Sequence, residues 1–127
     1  MSPGLITAAV FTLLGIGLAA VLWVPTRAAA AGRLGPNDRW GIRMGATRRS
    51  PEVWQRAHRA AFIYIAAAPW IAGIALLGTI VLAVWVSEGG AIMMSLLGLC
   101  GQIFIGIFGT VFAVIASRDN DKNRTTL

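Results

Sequence analysis

Charge is what this sequence has least of, and the shortage is unevenly spread. Only 13% of its residues are Asp, Glu, Lys or Arg, against 57% apolar, where a water-soluble domain carries about 25% charged residues. No charged residue occurs across 2–25, 60–87 or 89–117. A core-facing helix of a soluble protein needs a polar stripe every three or four positions. These runs have none, which excludes an ordinary soluble domain and makes lipid their natural solvent. The single cysteine, Cys100, excludes an internal disulfide and has no metal-ligand spacing; inside an apolar run it reads as a small packing residue. His58 is the only histidine, and no Ser/Asp or Cys pattern accompanies it. With no Gly-rich phosphate loop and no paired carboxylates, neither an enzyme, a metal site nor a cofactor is expected.

Three apolar runs remain. A hydrocarbon core of about 30 Å needs about 20 helical residues, which places spans at about 5–24, 60–86 and 91–116. The first differs from a cleaved signal peptide. It lacks a basic N-terminal region, its apolar run is longer, and Arg27 follows directly. The expected fold is therefore an all-α membrane protein: one domain over 1–127, a three-transmembrane-helix bundle with a basic cytoplasmic loop (26–59) between helices 1 and 2 and a polar cytoplasmic tail (117–127).

The charges that are present fix a direction. Lys and Arg number 11 against 5 acids, for a net charge of +6. Eight arginines lie in 27–59, and Arg118, Lys122 and Arg124 lie in the tail. The N-terminal segment and the turn at Glu88 carry no basic residue. By the positive-inside rule, loop and C-terminus face the cytoplasm and Met1 lies outside. An anionic leaflet attracts each nearby basic residue by about 1 kcal/mol, so lipid contact accounts for the basicity; with no nucleic-acid module, nucleic-acid binding is not expected. The Ala, Gly and Arg bias with a single Lys points to a GC-rich bacterium and its cytoplasmic membrane.

Within 26–59, Gly32, Gly35, Pro36, Gly41 and Gly45 imply turns. Ser50-Pro51-Glu52 then supplies a cap oxygen, a proline for the first helical turn and an acid for the helix dipole. A helix is predicted from Pro51, with Trp54 and His58 four apart on one face, continuing into the second span with a kink at Pro69. Tyr64 and Trp85 are placed at the two interfaces and Trp70 inside the bundle. A tight turn at 87–90 leads to the third span, and the tail is expected to be frayed. Small residues at Gly106, Gly109 and Ala113 suit close helix approach in lipid, either within the bundle or toward a partner. Gln102, the only amide deep in a span, is expected to bond a neighbouring helix. No ionisable residue joins it there, against a transporter acting alone.

The loop holds more than topology requires. Asn37, Arg39, Trp40, Gly41, Ile42 and Arg43, then Thr47, Trp54, His58 and Arg59, mix amide, aromatic and guanidinium groups, which suggests a folded cap on the membrane surface. The pattern Asn37…Gly41-Ile42-Arg43…Thr47…Trp54…His58-Arg59 leading into a hydrophobic span resembles the signature loop of the SdpI family of bacterial membrane proteins. The match covers 37–59, and the three-span layout resembles the C-terminal half of longer members. Met44-Gly45-Ala46 stands where the family has Thr-Pro-aromatic.

The resemblance implies a role in toxin immunity or membrane signal sensing. Asn37, Arg39, Trp40, Gly41, Arg43, Thr47, Trp54, His58 and Arg59 would form the binding surface for a toxin peptide or a cytoplasmic protein. The alternative is a structural accessory subunit of a larger membrane complex, a transporter or respiratory assembly. Small size, the absence of intramembrane charge and the glycine-rich third span favour that alternative.

Overall fold

The computed structural model describes the backbone of residues 1–124 and the side chains of residues 1–119; positions 125–127 of the expected tail lie outside the described residues. Among the described residues there are four helices and no strand: α1 (Pro3–Ala30), α2 (Pro51–Ile65), α3 (Ala68–Trp85) and α4 (Glu88–Arg124). Three helical stretches are long and apolar enough to cross a membrane: Pro3–Ala30, Pro51–Trp85 and Glu88–Asp119. The second is α2 and α3 together. Its first turns carry Glu52, Gln55, Arg56 and Arg59, so its charge-free part starts at Ala60.

The boundaries correct several expectations. The non-helical part of the 26–59 segment is 31–50, because α1 continues past Arg27 to Ala30 with Pro25 inside it and α2 starts at Pro51 as expected. Helix α4 starts at Glu88 instead of Ala91, since Ser87 Oγ accepts the Gly90 N–H and caps it. It then runs through the expected frayed tail to Arg124. The interruption in the second stretch falls at 66–67, ahead of Pro69. Proline has no N–H to give the Ile65 carbonyl, and its ring disfavours helix in the preceding turn. Pro69 itself lies in the first turn of α3, where no donor is missed.

The distribution of side chains is inverted relative to a soluble protein. Apart from Trp54 and Ile65, the buried hydrophobic residues among those described are all alanines. Leu13, Leu77, Phe104 and Ile107 are among many large apolar side chains that face outward. In water so continuous an apolar surface would drive aggregation; in lipid it is the solvated face. Trp70 belongs to that outer face, at 75% exposed, and not to the interior. Cys100 is exposed as well.

The chain divides into two compact units, 1–21 with 67–105 and 22–66 with 106–127. In the first, close helix contact depends on small residues: Ala8, Thr12 and Ala19 of α1, Ala75 and Thr79 of α3, and Ala91 and Ser95 of α4 are buried. A Cβ on Gly15 would meet the Leu99 backbone at 3.8 Å. Gln102 is buried, and its Nε2 donates to the Ala68 carbonyl at 2.8 Å. Among the described residues its Oε1 has no partner. Interhelical hydrogen bonds in lipid contribute on average about 0.6 kcal/mol, and the unpaired oxygen offsets part of that. Gln102→Leu is therefore expected to cost under about 1 kcal/mol in a reversible unfolding titration in mixed micelles. A cost above about 2 kcal/mol would contradict this account of the amide.

In the second unit, Ala57, Ala61, Ile65 and Ala113 form the core, with Leu22, Trp23 and Ile42 packed against it. Gly109 approaches Ile65 and Gly106 approaches Leu22. Tyr64 stacks on Phe112 with ring centroids 4.5 Å apart.

Candidate functional site

The connecting segment 31–50 has no regular secondary structure, yet its backbone is fixed almost throughout. Helix α1 ends in a Schellman motif: Arg33 N–H donates to the Ala28 carbonyl and Gly32 N–H to Ala29, with Gly32 at a φ of 78°. The Ala30 carbonyl has no helical donor, and Gln55 Nε2 (3.2 Å) and Arg59 Nε (3.1 Å) supply it from α2. Gln55 and Arg59 are four apart, hence on one face. Arg59 so neutralises the negative end of α1.

Beyond this cap, Trp54 reaches back to the segment. Its Nε1 donates to the Leu34 carbonyl at 2.7 Å. Asn37 then makes an Asx-type turn, Oδ1 accepting from the amides of Arg39 (2.9 Å) and Trp40 (2.7 Å) while Nδ2 donates to Gly35. The turn delivers Gly41, at a φ of 89°, against the Trp54 and His58 rings. Ile42 N–H donates to His58 Nε2 at 2.9 Å. Thr47, fully buried, holds the next bend with Oγ1 2.6 Å from the Ile42 carbonyl and 2.9 Å from that of Met44. Ser50 caps α2 by accepting from Val53. An exposed Asp38–Arg48 pair (2.6 Å) and a bond from Arg43 to the Asp38 carbonyl close the outer side; an exposed pair of this kind contributes little.

His58 is the centre of this arrangement, with no exposed surface. It sits 4.1 Å from Trp54, centroid to centroid. Its Nε2 accepts from Ile42, so Nδ1 carries the proton and donates to the Trp54 carbonyl at 2.8 Å. Protonation would set an N–H against the Ile42 N–H. Burial pushes its pKa below the ordinary 6.5, partly opposed by the bond to Trp54. A depressed histidine pKa means the unfolded chain binds a proton that the folded chain refuses. The lock therefore contributes fully above pH 6.5 and loses stability as pH falls from there through the folded-state pKa. Denaturation midpoints at pH 7.5 and 5.5 are expected to differ, and His58→Gln to abolish that difference.

The residues singled out from sequence thus separate into two groups. Thr47, Trp54 and His58 are buried, Asn37 and Gly41 shape the turn, and Arg59 caps α1. Arg39, Trp40 and Arg43 face out. Of the helix-packing residues, Gly106, Gly109 and Ala113 lie in one unit and Gln102 in the other. Sequence reasoning missed Gln55 and Arg56, whose Nε donates to the Ala116 carbonyl at 3.1 Å. Their only sequence signal was helical spacing with Arg59.

Among the described residues, no cluster of His, Cys, Asp and Glu could hold a metal ion. Comparison with protein-family models, curated proteins and solved structures finds no match.

Proposed function

We propose that the chain is a multi-pass protein of a bacterial cytoplasmic membrane, with Met1 outside and the 31–50 cap and C-terminus inside, and that the cap is its working surface. The role is of the immunity or signal-sensing kind that its resemblance to the SdpI family implies. One observation carries the reading: side chains of α2 bond the backbone at the end of α1, at Ala30, and in the cap at Leu34 and Ile42. A loop serving only to carry arginines has no need of a buried Trp-His pair. The residues that carry the resemblance are largely those that make this lock. Release of the Ile42–His58 bond gives the cap a second arrangement, and any ligand with unequal affinity for the two would shift their balance.

The test leaves the lock intact. Arg39→Ala/Arg43→Ala removes outward charge without touching Trp54 or His58. In bacteria producing the full chain and challenged with secreted antibacterial peptides, the double variant is expected to lose protection at unchanged protein level. Equal protection by the variant, in a setting where the parent protects, would sink the proposal.

The accessory-subunit alternative draws on the glycine-rich third span. Gly98, Gly101, Gly106 and Gly109 each face a side chain of their own chain, Ala75, Ile71, Leu22 and Ile65 respectively. That leaves this feature little to offer a partner.

A further inference from the structure

The cap has an alternation that neither the lock nor the charge count explains. Gly41 and Ile42 turn inward, one against the Trp54 and His58 rings and the other onto the core of Ala57, Ala61, Ile65 and Ala113. On either side of this anchored dipeptide stands an outward pair of one arginine and one large apolar residue: Arg39-Trp40 and Arg43-Met44. Trp40 is 53% exposed and Met44 48%. Folding does not bury them, and each lies next to a cation.

Their height relative to the bilayer follows from the lock. Ile42 is pinned to His58, two residues before the charge-free run that starts at Ala60. At 1.5 Å per residue this is about 3 Å along α2. The headgroup layer is about 5–7 Å deep on each side of the hydrocarbon. The anchored dipeptide holds Trp40 and Met44 at the depth of the lipid headgroups, where an aromatic ring is at home. The guanidiniums beside them match phosphodiester oxygens, which arginine can engage with two parallel bonds.

We propose that Arg39-Trp40 and Arg43-Met44 form a two-pronged wedge that docks onto acidic phospholipids of the cytoplasmic leaflet. Trp40 and Met44 enter the headgroup–acyl boundary, and Arg39 and Arg43 hold lipid phosphates. The inference rests on the three-span, loop-inside placement and is independent of any protective role. Asp38 does not oppose docking, because its carboxylate is engaged by Arg48. Each arginine near an anionic surface favours docking by roughly fivefold, so the two together favour it by roughly thirtyfold.

The experiment uses the full chain in lipid nanodiscs, in a Cys100→Ser background, with a nitroxide attached through Met44→Cys. Power-saturation EPR reads collisions with oxygen, which is concentrated in lipid, against a water-soluble nickel chelate. In discs of phosphatidylcholine with one quarter phosphatidylglycerol, the label is expected to favour oxygen over nickel. In pure phosphatidylcholine, or with Arg39→Ala/Arg43→Ala added, the preference is expected to shift toward nickel. Equal nickel access in both lipids, at the level of a label in water, would overturn the proposal. A label shielded from both reagents in both lipids would also overturn it, assigning the patch to a protein partner or a second copy. Lipid-dependent docking of a parent chain that itself gives no peptide protection would count against the proposed function and leave the wedge standing.

Discussion

Gly98→Val is expected to separate α3 from α4 and to cost about 3 kcal/mol or more, at the upper end of overpacking penalties. A Cβ on Gly98 would stand 2.3 Å from the Ala75 Cβ. The neighbour is not the movable end of a long side chain. It is a methyl attached directly to the α3 backbone, so relief requires the helix itself to move. In lipid this contact matters more than in water, because apolar association gives little drive and close backbone approach supplies much of the attraction. Gly98→Ala should show the same effect at about 1–3 kcal/mol. Ala75→Gly, which removes the opposing methyl, should restore much of the loss in the double variant. Reversible unfolding in mixed micelles reads all three. If Ala75→Gly deepens the loss by its own full cost, the two positions are independent and the packing account is wrong.

Gly41→Val should disrupt the cap by a different route. The backbone at Gly41 has a φ of 89°, where a β-branched residue is strained. The left-handed region alone costs an L-residue about 1–2 kcal/mol. The added Cβ would also stand 2.8 Å from His58 Nε2 and 3.0 Å from the Trp54 ring. Displacing His58 removes the acceptor of the Ile42 amide, and a buried unpaired donor costs about 1–3 kcal/mol more. The expected total is about 2–5 kcal/mol on the cap. Because the apolar helices in 67–105 do not depend on Gly41, the damage should stay local: limited proteolysis is expected to cleave within 31–50 while the spans resist. A variant whose cap resists protease as well as the parent does would contradict this.

Several features could be read from residue order, and others could not, for physical reasons. The apolar runs announce the three spanning stretches, because a charge-free run of about 20 residues has few other solvents available. The Ser50-Pro51-Glu52 cap marks the start of α2. The spacing of Trp54 and His58 places the two rings together. The partners of those rings were hidden: the Leu34 carbonyl and the Ile42 amide, like the Ala30 carbonyl that Gln55 and Arg59 bond, are backbone groups of a kind that every residue type but proline carries in full. Trp70 and Cys100 were misplaced for a related reason. In a span that is apolar on every side, nothing in the sequence says which face meets lipid and which meets a neighbour. The extension of α4 to Arg124 was missed because a polar tail reads as a loop when only hydrophobic pattern is consulted.

The central claim is that 31–50 is a fixed cap, held to α2 through His58, and not a loose basic tether. Amide hydrogen exchange of the full chain in lipid nanodiscs tests it directly. The amides of Trp40, Ile42 and Thr47, bonded to Asn37, His58 and Met44, are expected to exchange far more slowly than in an unstructured chain. His58→Ala should release Ile42 first. Exchange at the unstructured rate across 31–50, unchanged by His58→Ala, would contradict the account.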